Sequence, residues 1–435
     1  MIRAALRTGS WITPERLRAY PAIVLVITVL AVAGLWLTGH GLMDAWNRPL
    51  GTDFSQVWAA GVEMWAGNPD APFDPATHAA EQRTLFGPET QFYGWHYPPY
   101  FLAVAALVAL LPYGPALLVW QGVTLAAFLG VVRAIVGSTV PAALVLLATA
   151  GFPAVFVNLT HGHNGFLTAA LLGGGLLALK RRPLLAGALL ALLAYKPQFA
   201  LAIPVALVAG RHWRALAAGA ITLLAMTLAS VLAFGLESWR AFHTSLAFTR
   251  TVVLEQGATG WEKIGSAFAA ARMLGAGLPA AYMAQGMLTV GVLVVVALVW
   301  RGHADPRLKA ALLPAAALLT TPYSLDYDMT VLGPALAFAV AHGLRRGFGS
   351  WEKSLLVLAW AAPGLARGVA GATHLPLGFA ATLALFAVVA ARSCPAAMRV
   401  EQPGPASGSP AARGVPASAG ERASPASAPR APRPA

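Results

Sequence analysis

The chain has 435 residues, of which 57% are apolar and only 11% charged, with 30 Lys and Arg against 17 Asp and Glu. An ordinary soluble domain carries about a quarter of its residues as charges, so this composition excludes a water-soluble enzyme and places the chain in a bilayer. The net charge of +13 would suit nucleic acid, but basic residues in a membrane protein serve to orient it against the cytoplasmic face, and no nucleic-acid partner is expected.

A spanning helix needs roughly 20 apolar residues. On that measure spans are predicted near 21–38, 115–135, 139–157, 164–180, 183–197, 199–210, 215–235, 279–300, 309–321, 328–344, 353–371 and 375–392, about twelve in all. The expected fold class is an all-α polytopic membrane protein: a cytoplasmic N-terminus over 1–20, a transmembrane domain over 21–392 and a tail over 393–435. The first span follows Arg3, Arg7, Arg16 and Arg18 and lacks a small-residue cleavage site after it, so it reads as a retained helix. Pro98 to Leu111 is apolar but short and opens on a diproline, which suits a re-entrant or interface-buried helix. The tail is built from Pro, Ala, Ser, Gly and Arg and cannot bury enough surface to fold.

This topology sorts the charges. With the N-terminus inside, 22 of the 30 Lys and Arg fall on the cytoplasmic side, whereas 12 of the 17 acidic residues fall outside. Both termini are thus expected in the cytoplasm of a plasma (inner) membrane protein. Two long loops, 39–97 and 236–278, face outward. Within the first, Phe54, Val57, Trp58, Gly61, Val62 and Trp65 have the spacing of an amphipathic helix lying in the interface.

The unusual polar residues gather on the outer side. Asp53 stands at the start of the amphipathic helix; with Gln56 it has the spacing of a capping box, a role compatible with that of a base because a capping carboxylate is held rigidly. His96 and Tyr97 precede Pro98-Pro99, either as a structural turn or as the rim of a lipid or sugar groove. His161, His163 and Asn164 lie in a seven-residue turn between two spans. Lys196 and Gln198 sit at the outward apex between the basic clusters Lys180-Arg181-Arg182 and Arg211–Arg214. An ionisable residue at such a break invites an anionic partner, with snorkelling to the interface as the alternative. Arg272 follows Trp261-Glu262-Lys263 and lies in an apolar stretch. Tyr323, Asp326 and Asp328 form the last cluster, where either aspartate could simply cap the next helix. A single cysteine, Cys394, excludes a disulfide framework, and no close metal-ligand spacing is present, so neither metal nor cofactor is expected.

Cations and donors on one side of the membrane, together with one carboxylate, suit a phosphate-bearing lipid donor approached from the outer leaflet. Cleaving a glycosyl phosphate builds charge on the leaving phosphate, which donors should face, while a carboxylate faces the attacking hydroxyl. A transporter or flippase would also have many helices and buried charges, but it should show related halves, and no internal repeat is visible.

The ordered set Thr52-Asp53-Phe54, Tyr97-Pro98-Pro99, Gly162-His163-Asn164, Lys196-Pro197-Gln198, Trp261-Glu262-Lys263 with Ser266 and Arg272, and Pro322-Tyr323 with Asp326-Tyr327-Asp328 resembles glycosyltransferase family 87 of the GT-C superfamily, over about residues 20–392. The resemblance implies a GT-C fold with interfacial helices in its outer loops. It also implies metal-independent, inverting transfer of a sugar, most often mannose, from a polyprenyl-phosphate donor to a lipid, glycan or protein hydroxyl. Asp53 would be the general base, and Lys196, Arg272 and His163 would hold the donor phosphate. Trp58, His96, Tyr97, His161, Asn164, Gln198, Tyr323, Asp326 and Asp328 would line the substrate groove.

Overall fold

The computed structural model describes residues 1–199 and 201–394; apart from Ser393 and Cys394, the expected unfolded tail lies outside them. Regular structure among the described residues is helical, with only isolated β-bridges between extended segments. A helix occupies each of the twelve predicted places, but length separates them into two groups. Pro14–Leu37, Tyr113–Thr139, Trp213–Glu255, Leu278–Arg301 and Glu352–Thr373 are long and apolar enough to cross a membrane alone. Ala142–Ala150 and Pro153–His161, read from sequence as one span ending near 157, form a pair bent by 54° that could count as a sixth. Gly151 and Pro153 account for the bend, since proline removes a donor and clashes with the preceding turn.

The remaining helices are shorter, and two of them form the protein's centre. Pro306–Leu319 and Leu332–Arg346 are buried almost throughout. Alanines at 310, 311, 315, 316 and 317 let neighbouring backbones approach the first of these closely. The long helices instead expose continuous apolar stripes. On Leu278–Arg301 the exposed residues Met283, Met287, Val290, Val294 and Leu298 recur at helical spacing, a surface that only hydrocarbon can cover at low free energy.

At one end of the molecule the N-terminal arm docks onto the first turn of Glu352–Thr373: Trp11 Nε1 donates to Ser354 Oγ at 2.8 Å and Ser354 Oγ donates to Leu6 O at 2.7 Å. Arg392 Nη2 donates to Gly347 O at 2.8 Å nearby.

The predicted amphipathic helix exists as Thr52–Trp65, but its apolar face meets protein. It packs on the ten-residue apolar segment Pro99–Val108, with Trp58 Nε1 and Trp65 Nε1 donating to Leu111 O and Ala106 O, each at 3.0 Å. Gly61 permits the approach, because a Cβ there would lie 2.1 Å from Ala105 O and 2.6 Å from Ala109 Cβ. Gly61→Val should therefore destabilise the detergent-solubilised protein by about 1–3 kcal/mol through overpacking. Thermal melts against Gly34→Val, whose Cβ would meet nothing within 4 Å, measure the difference.

Candidate functional site

Two glycines with positive φ bring the site together. Gly51 (φ 67°) precedes the Thr52–Trp65 helix and Gly162 (φ 64°) ends Pro153–His161. They pack against one another: a Cβ on Gly162 would sit 2.7 Å from Phe54 Cβ and 2.9 Å from Gly51 O, so both chirality and space favour glycine there. The long helix Tyr113–Val136 holds both turns, with Tyr113 Oη donating to Leu50 O at 2.5 Å and Trp120 Nε1 to Gly162 O at 3.2 Å. The histidine turn thereby meets the start of the Asp53 helix.

Asp53 occupies the second helical position, after Gly51 as N-cap, and makes no capping hydrogen bond. The capping-box reading with Gln56 therefore fails: the first turn is closed by Phe54 N donating to Gly51 O at 2.6 Å. The half-buried Asp53 carboxylate lies in the fields of His161, Asp326, Arg367 and Lys263. Burial raises its pKa above the usual carboxylate range; His161 pulls it back, Asp326 pushes it further up, and Arg367 and Lys263 lower it.

Arg367, which the sequence analysis did not single out, organises this cluster from the Glu352–Thr373 helix. Its Nε and Nη2 each lie 2.6 Å from Asp326 Oδ2. Its Nη2 also lies 3.3 Å from His161 Nε2, while His161 Nδ1 sits 2.9 Å from Val157 O. A carbonyl can only accept, so Nδ1 carries the hydrogen and Nε2 accepts from the guanidinium. Lys263 is brought in because Gly265 N donates to Ser324 O at 2.7 Å, tying its loop to the Asp326 turn. The available signal for Arg367 was its position at an outer span end, the same departure from positive-inside placement that singled out Lys196.

Beside this cluster lies a cavity of about 420 Å³. Its polar lining includes Gln56, His96, Tyr97, His163, Lys196, Gln198, Tyr323 and Asp328, whereas Leu201, Phe242 and Leu246 supply an apolar wall. Lys196 is 3% exposed and forms an ion pair with Asp328. Its ammonium lies 5.7 Å from the Phe199 ring and 5.5 Å from the Tyr327 ring. Asp328 Oδ2 also accepts from Leu325 N at 3.0 Å, so this aspartate both caps and neutralises. His163 stacks on Tyr327, ring centroids 3.4 Å apart, with Nε2 3.2 Å from Tyr97 Oη. Burial, then Lys196 and His161, hold its pKa well below the ordinary histidine value, leaving a neutral ring. His96 meets Thr249 Oγ1 at 2.8 Å and is lowered to about 4 by burial and by His78.

Asp53, His161 and Asp326 form the adjoining cluster without lining the cavity itself, and three further expected residues lie outside both. Arg272 sits in the last turn of Ala267–Met273, where Nη1 donates to Ala276 O at 2.7 Å and the guanidinium covers the Trp261 ring at 4.5 Å; it does not line the cavity with Lys196. Trp58 is five positions from Asp53, roughly 140° around the helix, and packs edge-on against Phe86 and Tyr113. Asn164 is buried, with neither amide atom partnered among the described residues, and is not part of the lining.

The buried pair gives a test of the geometry. Asp328→Asn should strand the Lys196 charge and lower stability by about 3–5 kcal/mol, and adding Lys196→Met should recover much of that loss. Thermal unfolding of the two single variants and the double variant checks this coupling.

In comparisons with known proteins, the model of glycosyltransferase family 87 matches residues 95–322, more than half of the chain. No match was found among the curated proteins or the solved structures.

Proposed function

Because the chain belongs to glycosyltransferase family 87, and so is a membrane glycosyltransferase, we propose that it transfers a sugar, most often mannose, from a polyprenyl-phosphate donor to a lipid, glycan or protein hydroxyl with inversion. The observation that carries this reading is the proximity of a half-buried carboxylate, Asp53, without a hydrogen-bond partner among the described residues, to a cavity lined by both polar and apolar side chains. An amphiphilic donor matches such a cavity. Its prenyl chain would run along Leu201, Phe242 and Leu246, and its phosphate would meet Lys196. One of the three ammonium hydrogens is taken by Asp328, which leaves two for phosphate oxygens. Arg272 is committed to its own helix end and has no role here, and a neutral His163 offers no charge to a phosphate.

In the reaction, Asp53 takes the proton of the acceptor hydroxyl as its oxygen attacks the anomeric carbon. The bond from that carbon to the phosphate oxygen breaks, and its electron pair leaves with polyprenyl phosphate. Lys196 stabilises the charge that develops there. The segregation of basic residues supports an extracytoplasmic site in the plasma (inner) membrane, with both termini inside.

Transfer from labelled polyprenyl-phosphate-mannose, assayed with wild type and Asp53→Asn, tests the proposal. A well-folded Asp53→Asn protein should lose about 10²- to 10⁴-fold in rate; normal turnover would sink the mechanism. The base acts only when deprotonated, so wild-type kcat/KM should fall as pH drops through an elevated carboxylate pKa. That acidic limb should lie above the ordinary value of about 4 and should vanish in any residual activity of Asp53→Asn.

A further inference from the structure

Two residues that line the cavity each carry a buried polar atom that the donor reading leaves unused. Gln56 is 6% exposed and His163 4%; both line the cavity, and Gln56 Oε1 and His163 Nδ1 are without a hydrogen-bond partner among the described residues. Leaving such groups unpaired is unfavourable, so a ligand able to meet them gains by binding there. The chemistry of the two atoms selects which part of a glycosyl phosphate that is. Gln56 Oε1 can only accept a hydrogen bond. A phosphate diester at neutral pH has no hydrogen to give, and a prenyl chain has none that bonds. A sugar hydroxyl both gives and accepts, so it also satisfies His163 Nδ1 in whichever tautomer the ring adopts. The surroundings agree: Tyr97, Tyr195, Tyr323 and Tyr327 supply rings and neutral hydroxyls. Gln56 also lies three positions after Asp53, on the same side of the helix, which puts its amide next to the reacting centre.

We propose that Gln56 and His163 form the hydroxyl-reading part of the sugar subsite, so that they set which sugar is transferred. This deepens the glycosyl-transfer reading and rests on it. The test uses full-length protein in detergent with polyprenyl-phosphate-mannose and its 2-, 3-, 4- and 6-deoxy analogues, each measured as kcat/KM for wild type, Gln56→Met and His163→Phe. Met keeps the length of Gln without its polar atoms, and Phe keeps the stacked ring. In wild type, one or two deoxy donors should be poorer by about 10- to 100-fold. Gln56→Met should lose a similar factor on the parent donor and should no longer distinguish it from one particular deoxy donor, the other ratios standing unchanged. His163→Phe should do the same at a different hydroxyl, and it carries the test if Gln56→Met fails to fold. Variants that slow all five donors by one common factor, or that leave every ratio at its wild-type value, overturn the proposal. Should wild type use nucleotide-linked sugars instead, the polyprenyl reading fails while the same deoxy set on nucleotide carriers still decides the hydroxyl contacts. No transfer from either carrier by folded protein overturns both.

Discussion

One short turn carries the electrostatics of this protein. The 3₁₀ helix Asp326–Val331 places two carboxylates two residues apart, and each neutralises a cation distant in sequence: Asp326 pairs with Arg367, and Asp328 pairs with Lys196. At three residues per turn, side chains two apart diverge by roughly 120°, which is why neighbouring aspartates serve different partners. Tyr327, between them, takes a third direction and stacks on His163. The deeply buried Lys196 charge requires a partner, since an unpaired ion in a low-dielectric interior costs several kcal/mol. The turn thereby fixes the positions of helix Glu352–Thr373, the break at Lys196 and the histidine turn relative to one another.

That arrangement explains what was legible in the sequence and what was not. Helix positions could be read because hydrophobic runs and Pro or Gly breaks are local signals. Whether a given run crosses the membrane depends on its neighbours, and Pro306–Leu319 is apolar because protein surrounds it on all sides. The polar clusters were legible as clusters, because polar residues between apolar helices stand out. Their pairings were not, since Lys196 and Asp328 are 132 positions apart and His161 and Arg367 206 apart.

Single side chains show the same divide. Asp53 was singled out by its place before an amphipathic run, yet excluding a capping role for it required knowing that Gly51 would adopt a left-handed conformation and close the turn through its own carbonyl. Arg272 carries the same charge as Arg367, and both lie in the C-terminal half of a helix. One folds back onto its own C-terminal carbonyls beneath Trp261, whereas the other reaches across to another turn. Helix-terminal arginines satisfy free carbonyls so readily that charge and position alone do not separate the two outcomes. Trp58, by contrast, was decided by helical angle, because the side of the helix that holds Asp53 cannot also hold a residue five positions on.

The state of Asp53 follows from how its neighbours are already engaged. A direct ion pair with Arg367 would stabilise the carboxylate and depress its basicity, as happens to most salt-bridged aspartates. Here Asp326 occupies Arg367 Nε and Nη2, and His161 Nε2 shares the latter, so Asp53 senses the guanidinium only at a distance. Asp326 acts on Asp53 in a second way, since its own negative charge raises the Asp53 pKa alongside burial. His161, Arg367 and Lys263 oppose that rise, and the balance keeps a half-buried carboxylate ionisable without satisfying it. A general base needs that combination: it must be ionised at the working pH yet hold a proton well enough to take one from a hydroxyl. In this fold the combination depends less on Asp53 than on a second aspartate that keeps the nearest strong cation occupied.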